Sequence, residues 1–408
     1  MKKILLSILL LHTVAAFAQP AVSAEFSSDP LAFTNFPSFL PGPAIPMAKD
    51  RTGIAIAWLM PVANGDRISV TRLDVNGHFT GQVQTIPTAS SESVYVVAPS
   101  IAAVSHGDGF TLAWLEIVAT SPPSGTSAVY CRLDRDLKPT TPAVLTVLPQ
   151  PWAEIPAPAV VRSGKTTWIS VGGSAWELHD DGSLGAPLDA GMSATDMTVA
   201  TDFPQIVALG HFVSGSVCQP GCASLCFCPR VPVFKSSLQF TSLYSVTASK
   251  RFDFDSDAAP AIGRTGGDVA LVWFQGAHAK GGAVMMSHLL SPSFSEFSTA
   301  VDQSRTIGSF GPDVGPTRPD IASDDARYVV VWRTTTPGGA HDIVGASIDP
   351  AGNIIPLSIA TSAADERDPS VVSTGDGNFL VAYEKLSAGE RRIAGRLVTF
   401  ESRSHAVR

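Results

Sequence analysis

The sequence has few charged residues, few cysteines and no long apolar run after its N-terminal region. Charged residues make up 16% of the 408 residues, and there are five cysteines. No later segment approaches the roughly 20 consecutive apolar residues that a membrane-spanning helix needs, so we expect no membrane insertion. Apolar residues also do not recur at the i, i+3, i+4 spacing of an amphipathic helix, and we therefore expect little helix.

Motifs for cofactors, metals and common catalytic centres are missing as well. The sequence has no C-x-x-C-H, no H-E-x-x-H and no G-x-S-x-G. Residues 163–166, "SGKT", resemble the end of a phosphate-binding loop but lack its first glycine, which indicates a hairpin turn. Asp253, Asp255 and Asp257 alternate as in a calcium loop, but Ala258 stands where that loop needs glycine, which favours a solvated strand start. We predict no cofactor and no metal.

The first residues predict export. Lys2 and Lys3 precede an apolar run that ends in Ala16-Phe17-Ala18, which is the pattern of a secretory signal peptide, and cleavage could follow Ala18 or Ala24. Loss of the two lysines takes the formal net charge from −8 to about −10. Such an acidic protein is not expected to bind nucleic acid or an anionic membrane. We expect a secreted, periplasmic or cell-surface protein that is monomeric.

A repeat of roughly 50 residues fills the rest of the chain. Each copy begins with a proline and small or β-branched apolar residues, and an apolar run ends in an aromatic residue 10 to 15 positions later. A third strand and an acidic turn follow, as in "ISVTRLDVNG", and then a short fourth strand. The prolines are Pro43, Pro99, Pro158, Pro260, Pro319 and Pro369, and the aromatic residues are Trp58, Trp114, Trp168, Trp273, Trp332 and Tyr383.

The apolar runs of the repeat are continuous, as in "YVVVW" at residues 328–332, and this is typical of strands buried on both faces. The double spacing between Pro158 and Pro260 requires a degenerate copy, which gives seven copies of four strands. The sequence therefore predicts an all-β, seven-bladed β-propeller, with six or eight blades as alternatives. The last copy stops after its third strand, and residues 26–40 are predicted to supply the strand that closes it.

The repeat resembles that of secreted bacterial β-propeller proteins, whose copies run P-x-I-A, then F-L-V-x-W, then I-x-G-x-R-x-D-x-x-G. The resemblance covers nearly all of the chain after the signal peptide. It is closest over residues 317–398, which contain "RPDIASD", "YVVVW" and "NFLVAY". It implies a propeller fold and an exported location, and it implies no shared activity and no catalytic residue.

The segment "CQPGCASLCFC" contains four of the five cysteines: Cys218, Cys222, Cys226 and Cys228. In an exported protein they favour disulfides that hold a loop, with three possible pairings, and their spacing is not that of paired C-x2-C zinc ligands. Cys131 is expected to be a free, buried thiol. The predicted organisation is a signal peptide at residues 1–24, one propeller at 25–400 with a cysteine-rich insertion at about 214–232, and a disordered tail at 401–408.

Function is expected at the end of the propeller where the proline strands begin and where loops join the second and third strands. Charged residues there predict a ligand site made of Arg318, Asp320, Arg367 and Asp368, although a solvated rim would give the same pattern. We predict a non-enzymatic protein that binds a protein or a glycan or serves as a scaffold. The alternative is a carbohydrate-active enzyme, a glycoside hydrolase or lyase, with its site in the axial funnel.

Overall fold

The computed structural model is all-β wherever it describes the chain, as predicted. It describes residues 20–29, 45–62, 65–90, 94–103, 109–118, 125–148, 158–163, 166–171, 174–189, 194–199, 206–210, 212–218, 230–237, 253–255, 261–265, 268–277, 280–289, 304–312, 318–324 and 326–400. These ranges contain 30 strands and no helix. Accordingly, they contain no helix that is long and apolar enough to cross a membrane.

Two short strands, β1 (Ala21–Val22) and β2 (Phe26–Ser27), precede seven groups of strands. The first three groups are β3 (Met47–Lys49), β4 (Ile54–Val62), β5 (Gly65–Leu73) and β6 (Gln84–Ile86); β7 (Val94–Ala103), β8 (Gly109–Val118), β9 (Thr126–Asp134) and β10 (Ala143–Leu148); and β11 (Ala159–Ser163), β12 (Thr166–Val171), β13 (Ser174–Leu178) and β14 (Leu188–Asp189). The fourth group is β15 (Ala194–Val199), β16 (Ile206–Gly210), β17 (Phe212–Cys218), β18 (Arg230–Ser237) and β19 (Asp253–Asp255). The last three are β20 (Ala261–Thr265), β21 (Asp268–Ala277), β22 (Gly281–Leu289) and β23 (Arg305–Phe310); β24 (Asp320–Ser323), β25 (Tyr328–Thr335), β26 (His341–Ile348) and β27 (Ile354–Ala360); and β28 (Asp365–Gly375), β29 (Asn378–Ser387) and β30 (Glu390–Thr399).

Strands that follow one another within a sheet pair antiparallel, and the third, fifth and sixth groups are each one four-stranded sheet. A single parallel contact between Gly65 and Val94 joins the first and second groups into one eight-stranded sheet. The described strands of the fourth group make two separate sheets, β15–β16 and β17–β18–β19. The first strands of the groups, β3, β7, β11, β15, β20, β24 and β28, contact one another in chain order, and β28 also contacts β3.

The apolar run of β25 shows why these strands are continuous in sequence. Tyr328, Val330 and Trp332 are buried in a core shared with the fifth group, whereas Val329 and Val331 are buried in a core shared with the seventh. Alternate residues of a strand point to opposite faces, so a strand between two neighbours needs apolar residues at every position. Burial on both faces, predicted from the sequence, is confirmed for this strand.

The N-terminal strands pair with β30: β2 lies within residues 26–40, the range predicted for the closing strand, and β1 lies before it. Ala21 and Val22 lie opposite Thr399 and Val398, and β2 lies opposite residues 394–395. Residues 30–40, the larger part of the predicted strand, are outside the described ranges. The pairing occurs at β2 because the Phe26 ring fills space left by two glycines: a Cβ on Gly77 or on Gly395 would come within 2.3 Å of that ring.

Arginines link neighbouring groups near the turns after the third strands. Arg72 Nε donates to Arg135 O in the second group at 2.7 Å, and Arg132 Nη1 donates to Asp180 O in the third at 2.6 Å. Both arginines occupy the same position of the repeat. In each case the arginine carbonyl accepts a hydrogen bond from the amide eight residues later. The arginine of the R-x-D turn therefore fastens each of these groups to the next.

Candidate functional site

The four predicted ligand residues lie at one end of the sixth and seventh groups, which we call the front end. This is the end at which β28 begins, with Asp365 opposite Leu386, and it also holds the hairpin from β29 to β30. Arg318 lies two residues before the start of β24, and Asp320 is the first residue of that strand. Arg367 and Asp368 belong to the first part of β28, where its register with β29 shifts between Arg367 and Ser370. The sequence thus identified one common end for all four residues.

Asp320 connects the sixth group to the seventh. Its Oδ2 accepts hydrogen bonds from Ser370 Oγ at 3.0 Å and from the Val371 amide at 2.8 Å. Burial raises the pKa of Asp320, and Arg318 and these hydrogen bonds oppose the rise only in part. Two of the carboxylate's contacts are therefore with β28, so the structure gives Asp320 a bridging role whether or not it also meets a ligand.

Asp368 lies beside a buried arginine that the sequence analysis did not select. Arg333, on β25, places Nη1 3.8 Å from Asp368 Oδ1, and the two side chains are 6% and 15% exposed. That distance is too long for a hydrogen bond. Asp368 also has a φ of 49°, in the left-handed region, at the irregularity of β28. Aspartate is among the residues that tolerate this conformation, so a charged side chain can occupy this irregular position of β28.

Arg333 has less hydrogen bonding than a buried guanidinium normally requires. Its Nε is buried and has no hydrogen-bond partner within the described part of the chain. Burial lowers the pKa of Arg333, and Asp368 is the main group that opposes this. A buried donor without a partner costs about 1–3 kcal/mol, and more when it is charged. The fold thus holds a dehydrated cation with unused donors at its front end.

Glu384, on β29, is the second buried charged residue at this place. Its Oε1 lies 3.1 Å from Arg391 Nη1, and its side chain is 11% exposed. Burial raises the pKa of Glu384, and the nearby Asp368 raises it further, while Arg391 and Arg367 lower it. Glu384 therefore retains its proton to a higher pH than an ordinary glutamate.

Asp365 and Arg367 complete the site on its solvent side. Arg367 Nε donates to Asp365 Oδ2 at 2.8 Å, and Asp365 Oδ1 lies 2.6 Å from His341 Nδ1. Burial alone would raise the pKa of Asp365, but the hydrogen bonds from Arg367 and His341 lower it, so Asp365 is ionised at neutral pH. The Arg367 side chain is 36% exposed.

We call these six residues the Arg333 cluster: Arg333, Asp365, Arg367, Asp368, Glu384 and Arg391. It combines three guanidinium groups with three carboxyl groups, one of which is biased towards its neutral form. Guanidinium groups donate in a planar fork, carboxylates accept, and a protonated carboxyl can do both. The cluster can therefore hydrogen-bond a ligand that carries several donors and acceptors.

The cluster contains two of the predicted residues, Arg367 and Asp368, and the structure adds Arg333, Asp365, Glu384 and Arg391. Arg333 and Glu384 share a signal in the sequence, because each directly follows the aromatic residue that ends the apolar run of a second strand, Trp332 or Tyr383. One sequence does not reveal that two such strands of neighbouring groups face each other.

The other sequence motifs behave as turns and strands where they are described. Ser163 pairs with Thr166 across the β11–β12 hairpin, which confirms the hairpin interpretation of "SGKT". Asp253 and Asp255 belong to strand β19, whereas Asp257 is outside the described residues. Across the described ranges, no three His, Cys, Asp or Glu side chains are arranged to hold a metal ion.

The structure bears on only one of the cysteine predictions. Cys131 is free and buried in β9, as predicted, and burial raises its pKa to about 12. Cys222, Cys226 and Cys228 are outside the described residues, and only the backbone of Cys218 is described, at the end of β17. The disulfides among these four cysteines remain a prediction.

Comparison with known proteins gives similarity to solved structures only. No family model and no curated protein matches the chain. A protein of unknown function from Dyadobacter fermentans is 11% identical, with 92% of this chain and 99% of that chain covered and a TM-score of 0.47. Trypanosoma rangeli sialidase is 8% identical, with 91% and 58% covered and a TM-score of 0.46, and BamB from Moraxella catarrhalis is 10% identical, with 95% and 100% covered and a TM-score of 0.37. At these identities none of the three assigns the chain a family or a function.

Proposed function

We propose that the protein is an exported, seven-bladed β-propeller that binds a glycan at the Arg333 cluster without cleaving it. The architecture is supported by seven groups whose first strands contact one another in chain order and return from β28 to β3. Export is supported by the N-terminal sequence, with its lysines, apolar run and small residues.

The observation that carries the binding proposal is the buried guanidinium of Arg333, whose Nε has no partner in the described chain. Most of its dehydration has already occurred on folding, so a ligand whose acceptors reach the 6% of the side chain that stays exposed gains hydrogen bonds at little further desolvation cost. Hydroxyl groups in pairs suit the guanidinium fork, and Asp368 and Asp365 can accept hydrogen bonds from further hydroxyls. A sugar provides such hydroxyls on one rigid ring.

A protein ligand fits the cluster less well. The cores of protein interfaces are rich in aromatic and apolar residues and poor in charge. All six residues of the Arg333 cluster are ionisable, which suits a small polar ligand. The site therefore favours the glycan over the protein among the two partners predicted from the sequence.

The test is a glycan array followed by calorimetric titration of the best glycan. Arg333→Met should weaken binding by about tenfold or more, since hydrogen bonds to a charged group contribute about 1.5–3 kcal/mol. The matched control is Arg135→Met, whose side chain is 72% exposed and lies at the opposite end of the groups. The control should bind as the wild type does. A protein that binds no glycan, or an Arg333→Met variant with unchanged affinity, would refute the proposal.

A glycoside hydrolase is the second candidate, and the raised pKa of Glu384 beside Asp368 is the observation that favours it. Glycosidases use two carboxyl groups, one protonated to act as the acid and one ionised. We expect the bound glycan to be recovered intact after prolonged incubation. If new reducing ends form, and Glu384→Gln abolishes them while glycan binding persists, the protein is an enzyme.

A further inference from the structure

We propose that export processing cleaves the chain after Ala18, and that residues 21–24 are kept as part of the folded protein. This inference rests on the export that forms part of the proposed function. From the sequence alone, cleavage after Ala18 and cleavage after Ala24 are both open, because small residues precede each bond.

Strand β1 lies between the two candidate bonds and is integrated into the seventh group. Ala21 and Val22 pair with Thr399 and Val398. Val22 also packs against the core that the sixth and seventh groups share. Cleavage after Ala24 would remove this strand together with its backbone pairing and its apolar contact.

Ser23 adds a specific set of hydrogen bonds to β30. Its amide donates to Leu397 O at 2.9 Å, and its Oγ accepts from the Leu397 amide at 2.9 Å. Its carbonyl accepts from Arg396 Nη1 at 3.2 Å. The backbone and the side chain of Ser23 thus satisfy both polar groups of Leu397, which is how a retained residue contributes to a sheet edge.

Cleavage after Ala24 would also place a new positive charge beside an existing ion pair. Glu25 Oε1 accepts from Lys385 Nζ at 2.6 Å, and Glu25 Oε2 accepts from Tyr383 Oη at 2.7 Å. An α-ammonium group on Glu25 itself would compete with Lys385 for the same carboxylate. Cleavage after Ala18 keeps the new terminus away from this pair by six residues of chain.

The experiment is to express the full chain without a tag at its N-terminus in an exporting bacterial host. Intact mass and terminal-peptide mass spectrometry of the exported protein then identify its first residue. We expect Gln19. A protein that begins at Glu25 would overturn the inference, and a chain that is found uncleaved would overturn both the inference and the proposed export. Glycan binding is measured separately on the purified protein, so its failure would not affect this result.

Two variants distinguish cleavage after Ala18 from cleavage after Ala24. Ala18→Leu removes the small residue before the first bond and should accumulate as uncleaved precursor. Ala24→Leu removes it before the second bond, and because Ala24 is exposed in the folded protein this variant should be processed and folded like the wild type. The reverse pattern would overturn the inference. In addition, a mature chain that begins at Gln19 should melt at a higher temperature than one that begins at Glu25, and equal melting would remove the structural reason for the inference.

Discussion

The carboxylate of Asp50 accepts a hydrogen bond from the amide of Gly109 at 3.1 Å, across the boundary between the first and second groups. The same carboxylate accepts from both terminal nitrogens of Arg72, at 3.2 and 3.1 Å, and from the Thr52 and Gly53 amides. Burial alone would raise the pKa of Asp50, but the hydrogen bonds from Arg72 and Thr52 lower it below its usual value. Asp50 is therefore a buried, ionised residue whose carboxylate links the first group to the second.

Asp50→Asn should destabilise the protein by about 3 kcal/mol or more, because it leaves the Arg72 guanidinium without its buried counter-charge. Urea unfolding at neutral pH measures the loss. The matched control is Asp136→Asn, whose side chain is 62% exposed and should change the free energy of unfolding by less than about 0.5 kcal/mol. Equal effects at the two positions would contradict the role of Asp50.

Glu366→Gln should stabilise the protein at alkaline pH. Glu366 is fully buried, its Oε1 accepts from Ser362, and its Oε2 has no hydrogen-bond partner in the described chain. Burial raises the pKa of Glu366, and Asp342 and Glu25 raise it further, against the opposing effects of Ser362 and Lys385. A raised carboxyl pKa means that the folded state binds the proton more tightly than the unfolded state does.

The stabilising effect of the neutral Glu366 is therefore complete below the unfolded pKa of about 4.3 and is lost as the pH rises through the folded pKa. Glutamine does not titrate, so the stability advantage of Glu366→Gln should be smallest near about pH 4 and grow towards about pH 8. Denaturant titrations of both proteins at matched pH values measure this difference. A difference that is constant with pH would show that Glu366 has no raised pKa in the folded protein.

Gly308→Ala should destabilise the boundary between the fifth and sixth groups. A Cβ on Gly308 would lie 2.3 Å from Trp332 Cζ2 and 2.6 Å from Cη2, so we expect a loss of about 1–3 kcal/mol. In a Trp332→Leu background the same substitution should cost less, with a coupling of at least about 0.5 kcal/mol. Gly125→Ala is the control, since no atom lies within 4 Å of its added Cβ. Strict additivity of Gly308→Ala and Trp332→Leu would contradict the contact.

Phe26→Ala should weaken the attachment of the N-terminal strands. The Phe26 ring contacts Gly77 of the first group and Gly395 of the seventh, and its centroid lies 6.3 Å from that of Phe79. Loss of a packed phenylalanine costs about 3 kcal/mol or more, whereas Val83→Ala, at a side chain that is 51% exposed, should cost less than about 0.5 kcal/mol. Thermal unfolding compares the two variants. Similar melting temperatures would show that the N-terminal strands do not bear on stability.

The sequence predicted the strands best where burial leaves a pattern. The segment Tyr328–Trp332 is apolar at every position because alternate side chains pack into two different cores. Such a run can be recognised in a single sequence. The N-terminal strands are two residues long each, too short to show a period. Their attachment depends on single contacts, such as those of Ser23 and Phe26, so the sequence did not reveal β1, which lies before the predicted closing strand.

The same distinction applies to the candidate site. The sequence analysis selected Arg367 and Asp368 because the repeat places them near the start of a first strand, at an end where loops converge, and their role in binding stays a prediction. Arg333 and Glu384 were missed because each looked like an ordinary polar residue at the end of an apolar run. Their significance comes from the distance between neighbouring groups and from burial, and neither quantity can be obtained from a single sequence.

The arginine links between groups bear on how the molecule opens. The two links that are described lie at successive boundaries, from the first group to the second and from the second to the third. The parallel contact between Gly65 and Val94 also joins the first two groups into one sheet. Proteins open locally in cooperative units whose free energies differ. The first three groups should therefore open as one unit, and the amide hydrogens of their middle strands should exchange with similar free energies of opening.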